Sequence, residues 1–149
     1  MSTKAKVSVD NVEITIGHNT IKWLRRLKLA LFKRRAKDAN VVILGGHRGS
    51  GTSYLMEKLV PAAAILDLEA AESINEVRID EQIPRVGPVG INEPNVLQPD
   101  TLARIVELTQ HRGQQLVLRT QRAGHVTAHL LPAMNRSGLG TRFLVARVA

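Results

Sequence analysis

Residues 40–44 form an apolar, largely β-branched run closed by Gly45-Gly46, and the chain then crosses His47-Arg48-Gly49-Ser50-Gly51 into a helical pattern that stops at Pro61. A strand with no polar face must be covered on both sides, so this run belongs inside a sheet. The rest of the chain repeats the alternation. Short strands are expected at 63–66, ending at Asp67, and at 89–91, with clearer ones at 115–120 and 142–148. Helices are expected at 51–60, weakly at 69–77, from Gln98-Pro99 to His111-Arg112-Gly113, and at 123–134 with Pro132 bending or ending the last. Residues 78–88 are interrupted by Pro84 and Pro88 and carry no clear pattern. Strands separated by helices of this length predict a three-layer α/β fold with a mainly parallel sheet.

A shorter segment precedes this one. Val7 and Val9, then Val12, Ile14 and Ile16, alternate on either side of Asp10-Asn11, which reads as a short β-hairpin or a strand with a bend. Asn19-Thr20 would cap a helix over 21–37. On a helical wheel Trp23, Leu24, Leu27, Ala30 and Leu31 share one side, while Lys22, Arg25, Arg26 and Lys33 crowd the other, interrupted by Leu29. The expected division is a basic N-terminal piece, 1–38, and an α/β domain, 39–149. Residues 1–38 hold ten Lys/Arg against three acids, so they carry +7 of the +8 net charge. Such asymmetry suits a polyanionic partner: DNA or an anionic membrane surface reached through 21–37, or an acidic protein. The ordinary alternative is that the apolar face packs on the sheet and the charges are solvated.

Composition removes several classes. The chain has no Cys, which excludes disulfide scaffolds, thiolate metal sites and a Cys nucleophile. Aromatics make up 3%, too few for a base-stacking platform. No apolar run reaches the roughly 18 residues of a membrane span, and the first residues lack a signal-peptide core. A cytoplasmic protein is expected, peripheral to the inner membrane if the basic helix docks there.

The glycine-rich turn carries the chemistry. Glycines let backbone N–H groups converge on anionic oxygens, and the following helix adds its positive end. The spacing Gly46-x4-Gly51-x-Ser53 matches the Walker A pattern, except that Thr52 stands where its Lys belongs. A Thr hydroxyl hydrogen-bonds but supplies no charge; Arg48 is the candidate substitute within the loop. Val89-Gly90-Ile91-Asn92-Glu93 lies where a Walker B strand should end, with Asn92 in place of the metal-holding Asp and Glu93 placed as a base. Leu116–Thr120 leads into Gln121, where a polar sensor of the γ-phosphate would sit.

In that order, Gly46–Ser53, then Ile91-Asn92-Glu93, then Gln110-His111-Arg112-Gly113 before the strand ending at Thr120-Gln121, the sequence resembles the RecA-like P-loop NTPases. Within them it is most similar to the DNA-pumping group of FtsK/HerA translocases, conjugative coupling proteins and Zot-like phage assembly proteins. The likeness covers about residues 40–148. It implies a P-loop NTPase-like domain that takes ATP or another NTP with Mg²⁺, often as a homo-oligomeric ring acting on DNA. Carried onto this chain, the amides of Gly49, Ser50, Gly51 and Thr52 would hold the β-phosphate, with Ser53 and Asn92 on Mg²⁺, Gln121 near the γ-phosphate, and Glu93 and Arg48 as the catalytic pair.

With both principal charged positions neutralised, weak or absent hydrolysis is expected. The role is then accessory to DNA transfer, packaging or mobile-element maintenance, joining or blocking a related motor ATPase. Two other readings compete: an active ATPase using Arg48, and a non-catalytic module that docks through its basic helix on membrane, nucleic acid or protein. His125 and His129, four apart with no third ligand nearby, are read as surface histidines. Arg119, Arg122, Arg136, Arg142 and Arg147 are read as solvated, with an arginine finger toward a neighbouring subunit as the sharper alternative.

Overall fold

The computed structural model of the chain describes residues 6–16, 21–47, 49–68 and 75–149. Among these, β1 (Ser8–Ile14), β2 (Val41–Gly45), β3 (Ile65–Asp67), β4 (Val89–Asn92), β5 (Leu116–Thr120) and β6 (Arg142–Val148) form one sheet in the order β1-β6-β2-β5-β4-β3. Every pairing is parallel. The α-helices are α1 (Lys22–Ala36), α2 (Thr52–Leu59), α3 (Pro99–His111) and α4 (Ala123–Ser137).

The chain crosses the sheet in two directions, and that sorts the helices. The steps from β1 to β2 and from β2 to β3 run one way; those from β4 to β5 and β5 to β6 run back. Right-handed crossovers then put α1 and α2 on one face and α3 and α4 on the other. The core divides accordingly. Phe32 and Ala36 of α1 and Leu55 and Met56 of α2 pack with Val42, Leu44 and Val117. Leu102, Ile105 and Val106 of α3 and Val126, Leu130 and Met134 of α4 pack with Val41, Ile43 and Leu118. All five residues of β2 are buried, as its unbroken apolar run requires.

Local signals set most boundaries. Pro99 opens α3 and Asp100 stands in its first turn, while Gly113 beyond its end takes a left-handed φ of 67°. α4 runs on through Pro132, which is exposed, so the hydrogen bond lost there lies on the solvent side. The weak helix expected at 69–77 falls partly on 69–74, outside the described residues, and 75–77 are not helical. Residues 78–88 contain one short 3₁₀ turn, Ile79–Gln82.

The N-terminal hairpin is corrected. Asp10-Asn11 makes no turn; β1 is one continuous strand paired with β6 from Ser8 opposite Arg142 to Ile14 opposite Val148. Both polar residues fit mid-strand because β1 is an edge strand, exposed along most of its length. Asp10 accepts both arms of the Arg35 guanidinium at 2.9 and 3.0 Å, and Lys28 Nζ donates to the Thr15 carbonyl at 2.9 Å. Residues 8–36 thus supply an edge strand and a covering helix to the same sheet. Asn19-Thr20, expected as the cap of α1, lie outside the described residues.

The C-terminal end of α1 is fastened from across the sheet. Gln115 Nε2 donates to the carbonyls of Ala36 at 2.7 Å and Ala39 at 3.0 Å. Gln115→Leu removes the donor and leaves two half-covered acceptors without it. The variant should unfold at lower urea with an unchanged slope, a loss of about 1–3 kcal/mol.

Candidate functional site

The outgoing connections of neighbouring strands β2 and β5 leave toward opposite faces, α2 to one and α4 to the other. In an open parallel sheet this divergence opens a crevice beyond the carboxyl ends of the strands, where ligands bind. The glycine-rich turn occupies that position. It runs from the end of β2 directly into α2, mounted between sheet and helix as the motif requires.

The turn is held by its own backbone. Gly46 N–H donates to the Thr120 carbonyl at 3.2 Å, tying the start of the loop to the end of β5. His47 O accepts the Ser50 amide at 3.1 Å and the Ser50 hydroxyl at 2.7 Å. A Cβ on Gly46 would stand 2.5 Å from Ser50 Oγ and 2.6 Å from the Val148 carbonyl, so no other residue fits there. Gly51 enters α2 with φ 110°, a conformation that side chains other than hydrogen resist, and a Cβ there would meet Ile16 at 2.8 Å. No side chain caps α2 among the described residues, and no acid stands in its first turn. The helix therefore presents uncapped amides to the crevice.

Of the four amides expected to converge on a phosphate, that of Ser50 is committed to His47 O; those of Gly49, Gly51 and Thr52 have no backbone partner among the described residues. Ser53 is exposed in the first turn of α2, and Gln121 is exposed just past β5. Glu93 is half-buried at the end of β4 in a left-handed conformation, φ 62° and ψ 58°, with its amide donating to Arg119 O at 2.8 Å. It has the described residues' one non-glycine positive φ, and such strain collects at functional positions. Arg48 lies outside the described residues.

Arg119 is the residue that sequence reasoning placed wrongly. Strand register sets Asp67 opposite Asn92, and Asn92 opposite Arg119, in one row across the carboxyl end of the sheet. All three side chains fall on the α2 side, opposite in parity to Leu66, Ile91 and Leu118 in the other core. Arg119 Nε donates to the Thr52 hydroxyl at 2.9 Å and Arg119 Nη1 to Asn92 Oδ1 at 2.7 Å; Asn92 Nδ2 donates to Asp67 Oδ1 at 2.9 Å. Thr52 and Asn92 are buried, and Arg119 is half-buried. A cation delivered by β5 thus lies against Thr52. Parity within the strand was the signal: Arg119 stands two residues after Val117, on the same face.

Asn92, expected on Mg²⁺, is engaged on both sides. Mg²⁺ at a nucleotide site keeps several waters and takes one or two carboxylates with the substrate's phosphates. Here Asn92 spends both its polar atoms on Arg119 and Asp67, and a guanidinium already lies at 2.7 Å from its oxygen. Among the described residues no three His, Asp or Glu side chains gather as a metal group. His125 and His129, both exposed on α4, meet each other Nε2 to Nε2 at 3.1 Å.

Compared with protein-family models, with curated proteins and with solved structures, the chain finds no match.

The row has a measurable structural weight. Arg119→Met leaves the Thr52 hydroxyl and Asn92 Oδ1 without their donor and should cost about 1–3 kcal/mol in urea unfolding. Arg119→Lys should recover only part of this, because one ammonium cannot reproduce the planar fork that reaches both acceptors.

Proposed function

We propose that the chain is a nucleotide-binding P-loop domain that holds phosphate without a metal and does not turn it over. The observation that carries the reading is the Arg119 guanidinium, hydrogen-bonded to Thr52 at the mouth of the glycine-rich loop. It supplies the positive charge that a Walker A Lys would bring, from the neighbouring strand instead of from the loop. The uncapped amides at Gly51 and Thr52 supply the rest of an anion cradle. Arginine suits this position because its charge is permanent and its planar fork holds two fixed acceptors at once.

The same residue explains why hydrolysis is not expected. Phosphoryl transfer depends on a metal bridging the phosphates and on groups that follow charge as it moves to the leaving oxygen. A guanidinium pinned by two bonds stabilises a bound anion but cannot travel with it. A domain that binds nucleotide and keeps it suits an accessory that joins or blocks a related motor in DNA transfer or packaging. This reading makes Glu93 a neighbour of the site and not a base.

Titration of the whole chain with ADP and ATP, in excess Mg²⁺ and again in excess EDTA, tests the proposal. The expected result is equal affinity in both. Gly49→Asp places a negative charge at the loop tip and should weaken binding about tenfold or more beyond Gly49→Asn, which shares the strain of a side chain at φ 83° without the charge. Arg119→Met should likewise weaken binding about tenfold or more. No binding at about millimolar nucleotide, or affinity untouched by Gly49→Asp, removes the ligand; binding that requires Mg²⁺ removes the role given to Arg119.

A further inference from the structure

α1 is mounted with its apolar face outward. The residues it buries are Phe32 and Ala36, while Trp23, Leu27 and Leu31, at 63%, 49% and 57% exposure, form a row on the opposite side. Spaced four apart, these three share one face along about 12 Å of helix. Ile21, just before the helix, is 59% exposed as well. The ordinary alternative, that this face packs on the sheet, does not hold: the sheet is covered by the Phe32 side, and Trp23, Leu27 and Leu31 stay exposed.

The charges around the row are not spent inside the molecule. α1 holds seven Lys/Arg and no acidic residue. Arg35 and Lys28 are tied to β1, through Asp10 and the Thr15 carbonyl. Lys22, Arg26, Lys33 and Arg34 have no acidic partner among the described residues. On the helical wheel Lys22, Arg26 and Lys33 line one border of the apolar row, and Arg34 closes its C-terminal end.

We propose that this face of α1 docks the domain on an anionic lipid bilayer. An occupant has to accept several cations and, within a few ångströms, an indole and two leucines. A bilayer rich in anionic headgroups does both, drawing the lysines and arginines to the phosphates and the side chains into the acyl boundary. Duplex DNA offers the phosphates but no apolar layer to receive the row. A second copy of the chain would offer an apolar row but bring seven further cations against the first seven. The helix lies on the surface; among the described residues none is long and apolar enough to cross a membrane. The proposal stands on α1 and is independent of nucleotide.

Trp23 is the chain's one tryptophan, so its emission reports the face directly. The whole chain is mixed with vesicles of phosphatidylglycerol and phosphatidylcholine, and separately with pure phosphatidylcholine. Co-sedimentation and a blue shift of emission are expected on the anionic vesicles alone, both fading as salt is raised. Leu27→Glu with Leu31→Glu changes two exposed side chains and should abolish the shift and weaken sedimentation about tenfold or more, with the far-ultraviolet spectrum unaltered. Lys22→Gln with Arg26→Gln should weaken sedimentation by about tenfold or more. The proposal is overturned by an unshifted tryptophan with no sedimentation on anionic vesicles, or by binding that survives Leu27→Glu with Leu31→Glu. It is equally overturned if only duplex DNA, or only a second copy in a lipid-free dimer, protects Trp23.

Discussion

One guanidinium holds the carboxyl edge of this sheet together. Arg119 reaches sideways along the sheet to Asn92 and upward to Thr52, so β4, β5 and the first turn of α2 share a single ionised group. A half-buried cation is costly to leave unpaired, and each hydrogen bond to it exceeds a neutral one in strength. Asn92 passes the polarisation on to Asp67, which brings a negative charge to the far end of the row. The row lies where the apolar core ends, at the last residues of three strands, which is where such a chain of polar groups costs least in desolvation. Further inward the same face is lined by Val117 and Leu55, fully buried.

That arrangement also decides what the crevice can hold. A cation fixed beside uncapped helix amides makes a positive field without motion or metal. Thr52, at first sight a lost lysine, becomes the acceptor that steers Arg119; a lysine there would meet the guanidinium as a like charge. Thr52, Asn92 and Arg119 are therefore one mutually consistent set. Reading each of the first two separately misses this, because their shared partner comes from 67 residues along the chain.

Features encoded locally were legible in the sequence. The buried strands β2, β5 and β6 announced themselves as continuous apolar runs, α3 by Pro99 and Gly113, and the loop by its glycines. Features that depend on partners were not. Asp10-Asn11 reads as a turn until one knows that β1 is an edge strand and that Arg35 waits for Asp10 across the helix. The wheel shows that α1 has an apolar side but cannot say which way it faces, since Phe32 and Ala36, a smaller set, suffice to seat it. Arg119 reads as one of several late arginines because its role is created by register with residues 67 and 92. Periodicity reports faces; only pairing reports neighbours.

The two unusual surfaces meet at one end of the molecule. α1 runs back along β1: its middle residue Lys28 lies at Thr15, beyond the carboxyl end of the strand, and its later residue Arg35 at Asp10, near the start. The helix N-terminus, with Trp23, therefore points toward the carboxyl edge of the sheet, the edge that carries the glycine-rich loop. Ile16, on the connection between β1 and α1, closes against Gly51 so tightly that a Cβ there would stand 2.8 Å from it. The conformation of Gly51 sets how the loop enters α2, and the position of Ile16 sets how the chain leaves the sheet for α1. Ile16 also belongs to the core that Phe32 and Ala36 of α1 share with Leu55 and Met56 of α2, so the glycine-rich loop and the seat of the basic helix rest on one close-packed apolar layer.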